Sequence, residues 1–306
     1  MNASVSLCGI YPALLSPFTQ DGSFNFDMLR KLVQHLAKQK VRGFYIGGSS
    51  SELFALTMAE RKKMMEIVRE ESGSCSVIAH IGAMSAADAQ DLARHAKAIG
   101  CDAISAIPPF YGKYSWDETA AYYRGLIEAG DLPFFLYNIP AFTGVNLPVK
   151  VYKDLLATGR VAGIKHTSYN LFEMERLKAA NPDGIVLIGH DEIFCPAAAV
   201  GADGIIGTSV NVFPEYYQNM DRYLKANNLV AARSIQSTLN ALLEVFMEIG
   251  FFPSTKHVLK YRGFDVGDCR QPVLPIEDVQ KRRLENAFDL CQQGMSRILS
   301  ANPFTE

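Results

Sequence analysis

The chain has 306 residues, 48% hydrophobic and 20% charged, and its 30 Lys and Arg against 32 Asp and Glu leave a formal net charge of −2. That is the composition of an ordinary globular protein, at a length suited to one barrel domain of about 250 residues plus an extension. The missing basic excess argues against nucleic acid or an anionic membrane as a partner. No apolar run approaches the roughly 18 residues that a membrane span needs. The 6 cysteines (Cys8, Cys75, Cys101, Cys195, Cys269, Cys291) are scattered with no Cys-x-x-Cys pair, which reads as buried free thiols in a reducing cytoplasm.

From the N-terminus, Met1 to Leu15 is apolar, lacks a basic leader and contains Pro12, so it reads as a first strand over Gly9–Leu14 and not as a signal peptide. Further strands are predicted at Gly43–Gly47, Ser76–Ile81, Ala103–Ala106, Phe134–Tyr137, Gly163–His166, Val186–Gly189 and Gly204–Gly207. Helical patterns lie between them. One, Met58–Glu71, opens on Thr57 with Glu60 three residues on, a capping box, and closes at Gly73. Another, Ala86–Ile99, closes at Gly100. Beyond Thr208 no strand is expected; Glu215 to Ser300 is helical in pattern, broken at Gly263–Pro275.

Strand–helix alternation repeated along the chain implies a parallel sheet. The expected fold is an α/β protein, a (β/α)8 TIM barrel over residues 1–224, with a C-terminal helical extension over residues 225–306, in a single domain. An open doubly wound sheet is the competing fold. No Gly-x-Gly-x-x-Gly turn follows the first strand, which weakens a dinucleotide-binding reading.

In such a barrel, chemistry gathers at the C-terminal ends of the strands. Lys165 ends the apolar run Val161-Ala-Gly-Ile-Lys. A side-chain period of two puts Ile164 toward the helices and Lys165 toward the barrel axis, with Gly163 below it leaving space. A strand-end lysine ordinarily reaches solvent. Burial instead would lower its pKa, and a neutral amine can attack a ketone to form a Schiff base, an electron sink. Tyr137 ends the neighbouring strand, where a phenol can shuttle protons. Ser49, Ser50 and Ser51 form a turn whose hydroxyls and N–H groups suit a carboxylate. Asp191 and Glu192, beside Gly189, could hold several hydroxyls of a sugar-like chain. Metal binding is their rival role, but His190 alternates away from Asp191 and completes no ligand set.

Gly-Gly-Ser-Ser-x-Glu, Tyr-Asn-Ile-Pro, Gly-Ile-Lys-His-Thr-Ser and Gly-His-Asp-Glu occur in this order along nearly the whole chain. Together they resemble the dihydrodipicolinate synthase/N-acetylneuraminate lyase family. The resemblance implies Lys165 as the Schiff-base lysine, Tyr137 as proton shuttle and Ser49 as its relay partner. Tyr111 would complete the relay from a neighbouring subunit of a homotetramer, and Ser50 would hold the pyruvate carboxylate. Synthases of the family resemble Tyr-Asn-x-Pro-x-Arg-Thr, whose arginine receives a second carboxylate, where this chain has Phe142. The lyases resemble the pattern formed here by Thr167, Gly189, Asp191, Glu192 and Thr208, which would contact the hydroxyls and N-acetyl end of a sialic acid. The implied reaction is a retro-aldol cleavage of N-acetylneuraminate that needs no cofactor, because the lysine supplies the electron sink. Two positions depart from the pattern: Ser51 stands where glycine is usual, implying strain if that residue needs a positive φ, and Gly112-Lys113 follows Tyr111 where a second aromatic is usual. Dihydrodipicolinate synthase and other pyruvate-dependent aldolases acting on 2-keto-3-deoxy sugar acids remain alternatives, as does a catalytically silent sugar-acid sensor on the same scaffold.

Overall fold

A computed structural model describes residues 7–303; the start of the apolar N-terminal stretch, before Leu7, lies outside them. The strands are β1 (Gly9–Pro12), β2 (Gly43–Ile46), β3 (Ser76–His80), β4 (Ala103–Ala106), β5 (Phe134–Asn138), β6 (Val161–His166), β7 (Ile185–Ile188) and β8 (Gly204–Gly207). They form one 8-stranded sheet in the order β1-β8-β7-β6-β5-β4-β3-β2. Each pair is parallel. The seam between β2 and β1 is joined by a bridge from Ala13 to Tyr45. Leu14 N–H donates to Tyr45 O at 2.8 Å and Arg42 N–H to Ile10 O at 3.0 Å. The sheet therefore closes on itself as a TIM barrel, and the open doubly wound alternative is ruled out.

The predicted strands recur within a residue or two. The first is shorter than expected, ending at Pro12, although Ala13 N–H still donates to Gly207 O at 2.9 Å.

Helices α1 (Phe26–Lys38), α2 (Met58–Glu71), α3 (Ala86–Ala98) and α4 (Trp116–Gly130) follow the first strands in turn. After β5 come a single turn α5 (Pro140–Thr143) and α6 (Val149–Leu156); α7 (Leu171–Ala180), α8 (Phe194–Ala199) and α9 (Pro214–Lys225) complete the outer layer. The starts of α1, α2, α3, α4 and α7 are set by side chains that meet the unpaired first N–H groups. Thr57 and Glu60 form the expected capping box, and Ser115 with Glu118 forms another on α4. Gly73 (φ 56°) and Gly100 (φ 79°) turn the chain out of α2 and α3.

Strand residues split by parity. Ile10, Phe44, Ile46, Ile104, Leu136, Ile164, Val186 and Ile205 join the helices in the outer core. Tyr11, Tyr45, Ile78, Phe135, Tyr137, Leu187 and Ile206 fill the barrel interior. Ile164 thus faces the helices, as its phase demanded. Three more helices, α10 (Leu229–Ile249), α11 (Phe251–Tyr261) and α12 (Asp278–Ala301), follow the barrel, separated between α11 and α12 by the expected break. Their apolar faces are continuous with the outer core through Leu239, Phe246 and Phe288. Among the described residues no helix is long and apolar enough to cross a membrane. All the cysteines are free.

Candidate active site

The C-terminal ends of β2, β5, β6, β7 and β8 surround a cavity of about 210 Å³. Its wall includes Ser49, Ser50, Tyr137, Lys165, Thr167, Gly189, Asp191, Glu192 and Thr208, which are all the predicted site residues except Tyr111.

Lys165 stands at its base. It is 3% exposed, and its register partner across the β5–β6 ladder is Tyr137. Its Nζ lies 4.1 Å from the centre of the Tyr45 ring and 4.2 Å from that of Tyr137. Burial between these rings lowers its pKa from 10.5 to about 7, with the charge of Asp191 opposing the fall. Gly163 does not serve to leave room for this lysine: a Cβ there would stand 1.9 Å from the carbonyl oxygen of Ile185, so the glycine is required by the close approach of β7. The glycine that guards the lysine is Gly189, where a Cβ would meet Thr167 Oγ1 at 1.8 Å and Lys165 Cε at 3.2 Å.

The Tyr137 phenol is buried, which raises its pKa, and the Ser49 hydroxyl opposes the rise from 3.5 Å. Neighbouring His80 is also buried and held neutral, its pKa well below the usual value through desolvation and then the charges of Arg61 and Lys165. Its Nδ1 faces Gly47 O at 3.0 Å while Ile107 N–H donates to Nε2 at 3.3 Å. That pattern defines a tautomer with the proton on Nδ1.

Ser49–Ser51 form a 3-10 turn. Its bonds run from Ser51 N–H to Gly48 O and from Glu52 N–H to Ser49 O, so the N–H groups of Ser49 and Ser50 precede the turn's first bond. Ser50 Oγ lies 2.6 Å from Thr208 Oγ1, joining the turn to the end of β8. The expected strain at Ser51 does not arise. The left-handed residues of this loop are Gly47 (φ 72°) and Glu52 (φ 58°). Ser51 instead ties the loop down: its Oγ donates to Leu14 O and accepts from Gly47 N–H at 3.1 Å, and its carbonyl accepts from Ser16 Oγ at 2.7 Å.

The far wall differs from expectation in one respect. The Asp191 carboxylate is largely occupied by protein. Oδ1 accepts from Ser209 N–H at 2.9 Å, Ser209 Oγ at 2.6 Å and Tyr217 OH at 3.2 Å; Oδ2 accepts from Thr208 N–H at 3.1 Å. Asp191 therefore fixes the turn after β8 and has little capacity left for several hydroxyls. Burial raises its pKa, with the Ser209 hydroxyl opposing. Burial also pushes Glu192 up, but hydrogen bonds from His190 and Tyr169 outweigh it and hold the carboxyl below its usual range. His190 Nδ1 is 3.2 Å from Glu192 Oε1, and its ring stacks on Tyr169 at 4.3 Å. Thr167 Oγ1 is buried and faces the cavity; it makes no hydrogen bond within 3.5 Å, but it is near enough to the Tyr137 phenol to help hold that group's pKa down.

Tyr111 is 86% exposed on the loop after β4 and does not line this cavity. Gly112 beside it packs against the ring of Tyr114, so an aromatic stands two residues past the expected place. Phe142 lines the outer cavity edge-on to Phe252 of α11, with ring centres 6.5 Å apart. Tyr45, Tyr169 and Phe252 also shape the site and were not foreseen, and His190, expected to alternate away from Asp191, lines the same cavity as Asp191. The inward phase of Tyr45 could have been read from β2, but nothing in the sequence places Phe252 of α11 at the barrel mouth.

The dihydrodipicolinate synthetase family model matches residues 6–290. An N-acetylneuraminate lyase of Salmonella agona (strain SL483) is 38% identical over 276 residues, 89% of this chain and 93% of the relative. A Clostridium difficile protein solved in complex with mannosamine superposes with a TM-score of 0.90 at 31% identity, covering 93% of this chain and 99% of that one. A catalytic lysine mutant of the Ruminococcus gnavus sialic acid aldolase does so with a TM-score of 0.93 at 28% identity, covering 98% and 100%. With a family model matched along most of its length and a relative above 30% identity, this chain belongs to the dihydrodipicolinate synthetase family.

Proposed function

We propose that this chain is an N-acetylneuraminate lyase, a class I aldolase that cleaves its keto-acid substrate through a Schiff base on Lys165. The observation that carries the reading is a buried lysine with a pKa of about 7, in register with a buried tyrosine at the base of a polar cavity. At neutral pH a large fraction of that amine is unprotonated and nucleophilic. The names of the relatives support the substrate.

In the reaction, Lys165 Nζ attacks the C2 ketone of the open-chain sugar acid, and loss of water leaves a protonated imine. Tyr137 takes the proton of the C4 hydroxyl as its own phenolic proton passes on to Ser49. The C3–C4 bond breaks, its electrons pass to the iminium as an enamine, and the aldehyde N-acetylmannosamine leaves. A proton returned to C3 and hydrolysis of the imine release pyruvate and restore the amine. Ser49 passes the proton to and from Tyr137 across the 3.5 Å contact. Ser50 and the neighbouring N–H groups receive the carboxylate of the keto acid. Thr167, whose hydroxyl makes no hydrogen bond within 3.5 Å, takes a bond from the tail, as do Glu192 and Thr208, while Gly189 keeps the space open. Asp191 acts mainly by holding Thr208 and Ser209 in place.

The same reading makes the enzyme a cytoplasmic homotetramer in which Tyr111, exposed here, reaches a neighbouring subunit's relay. The test is pyruvate release from a panel of keto-acid sugars. Release from N-acetylneuraminate supports the reading; tight binding without turnover would favour a sensor.

A further inference from the structure

The segment bearing Asp191 and Glu192 is a 3-10 turn, Asp191–Ile193, that runs straight into α8. In a continuous α-helix the carbonyl of Asp191 would accept from the N–H of Cys195, and that of Glu192 from residue 196. Neither bond forms. Residue 196 is proline and has no N–H. The N–H of Cys195 goes to Oε1 of Gln236 on α10, at 2.8 Å. Nε2 of the same amide donates to Asp191 O at 3.1 Å. Gln236 thus stands between the donor and the acceptor of a single helical hydrogen bond. One turn along α10, Asn240 Nδ2 donates to Glu192 O at 3.0 Å, supplying the bond that Pro196 cannot. Gln236 Nε2 also donates to Asn240 Oδ1 at 2.9 Å, so the two amides act as a unit.

We propose that Gln236 and Asn240 are positioning residues that set where Glu192 meets the substrate tail and where Asp191 holds Thr208 and Ser209, so that the C-terminal extension controls how well the long sugar chain is read. The proposal rests on the reading of this turn as the tail-binding wall. Neither amide lines the cavity, so any effect must pass through the backbone they hold. Gln236 is 6% exposed, and its amide satisfies a buried N–H and a buried carbonyl together. Losing a donor lets the turn relax toward α8 and carries the Glu192 carboxylate with it.

The test uses Asn240→Asp and Gln236→Glu, which keep size and remove the donor toward Glu192 O or Asp191 O. Two quantities are measured on the full-length enzyme: kcat and KM for N-acetylneuraminate, and the rate of borohydride trapping with pyruvate, which has no tail. The expected result is a loss in kcat/KM on the order of tenfold or more, carried mainly by KM. Pyruvate trapping should stay within about twofold of the parent. Equal losses in both assays, or no loss on N-acetylneuraminate, would overturn the proposal. Glu192→Ala is measured alongside. If it too leaves N-acetylneuraminate cleavage intact, the tail-wall reading fails; if it impairs cleavage while the α10 variants do not, only the role of the amides fails. Should Gln236→Glu not fold, Asn240→Asp decides alone, since Asn240 is only half-buried.

Discussion

Tyr137 and Lys165 share one rung of the β5–β6 ladder, and the lysine Nζ lies 4.2 Å from the centre of the tyrosine ring. The same desolvation acts on both in opposite directions, lowering the amine's pKa to about 7 and raising the phenol's. Both neutral forms are therefore available at neutral pH. A neutral amine is the nucleophile, and a neutral phenol can take the C4 hydroxyl proton as it hands its own to Ser49, so one burial prepares two roles.

The first prediction concerns the pH dependence of Schiff-base formation. Below its pKa of about 7, Lys165 is an ammonium with no lone pair; above it the amine is free. The rate of imine formation with pyruvate should therefore rise with pH and reach half its plateau near pH 7, well below the 10.5 of an ordinary lysine. Rapid-quench borohydride trapping across pH 5.5 to about 9 measures it. Mass spectrometry should locate a single three-carbon adduct at Lys165, and Lys165→Ala should form none. An adduct on another lysine, or a midpoint near 10, would refute the assignment.

Tyr137→Phe should slow C–C cleavage about 10²–10⁴-fold, the usual contribution of general acid–base catalysis. The ring still packs against Lys165, so the pyruvate imine should form almost normally. Single-turnover cleavage and pyruvate trapping, measured on the same variant, separate the two steps. Near-normal turnover would remove Tyr137 from the proton relay.

Substrate choice should favour the sugar acid. The chain should cleave N-acetylneuraminate and fail to condense pyruvate with aspartate semialdehyde. Phe142 carries no charge or donor where a second carboxylate would need a guanidinium. Thr167 meanwhile faces the cavity with a buried hydroxyl that a substrate lacking tail hydroxyls would leave unsatisfied, beside a Glu192 carboxylate already oriented by His190 and Tyr169. Glu192→Ala is the cleaner truncation, because Asp191→Ala would also release Thr208 and, through it, Ser50. Product analysis with both substrate pairs decides the matter, and synthase activity without pyruvate release from N-acetylneuraminate would reverse it.

The last prediction is about stability. Lys256 of α11 pairs with Glu52 at 2.7 Å, with side chains 1% and 8% exposed. Glu52 Oε2 also accepts from Arg270 N–H at 2.7 Å, so one carboxylate ties the catalytic serine turn to the extension. Removing one partner of a buried ion pair leaves a bare charge and typically costs about 3–5 kcal/mol. Lys256→Met should lose stability on that scale in denaturant unfolding, and Glu52→Gln added to it should recover part of the loss. A change within about 0.5 kcal/mol, the scale of surface substitutions, would show that the pair contributes little.

The barrel was legible in the sequence because its signals are local. Side-chain alternation placed Ile164 outward and Lys165 inward, and the Thr57–Glu60 pair marked where α2 begins. Strand adjacency then made Tyr137 and Lys165 neighbours. What depended on backbone approaching from elsewhere in the chain was not legible. Gly163 was read as space for the lysine, but it answers to a carbonyl of β7. Ser51 would be strained only if its φ were positive, yet the left-handed turn falls one residue later, at Glu52, and Ser51 bonds to Leu14 and Ser16. Asp191 looked free to bind hydroxyls, yet Ser209 and Tyr217 reach its carboxylate first. Gln236 and Asn240 read as unremarkable positions on a helix until folding brought α10 against the turn after β7. Periodicity sets which way a side chain points; what it meets there is decided by long-range packing, where one ångström separates a hydrogen bond from a clash.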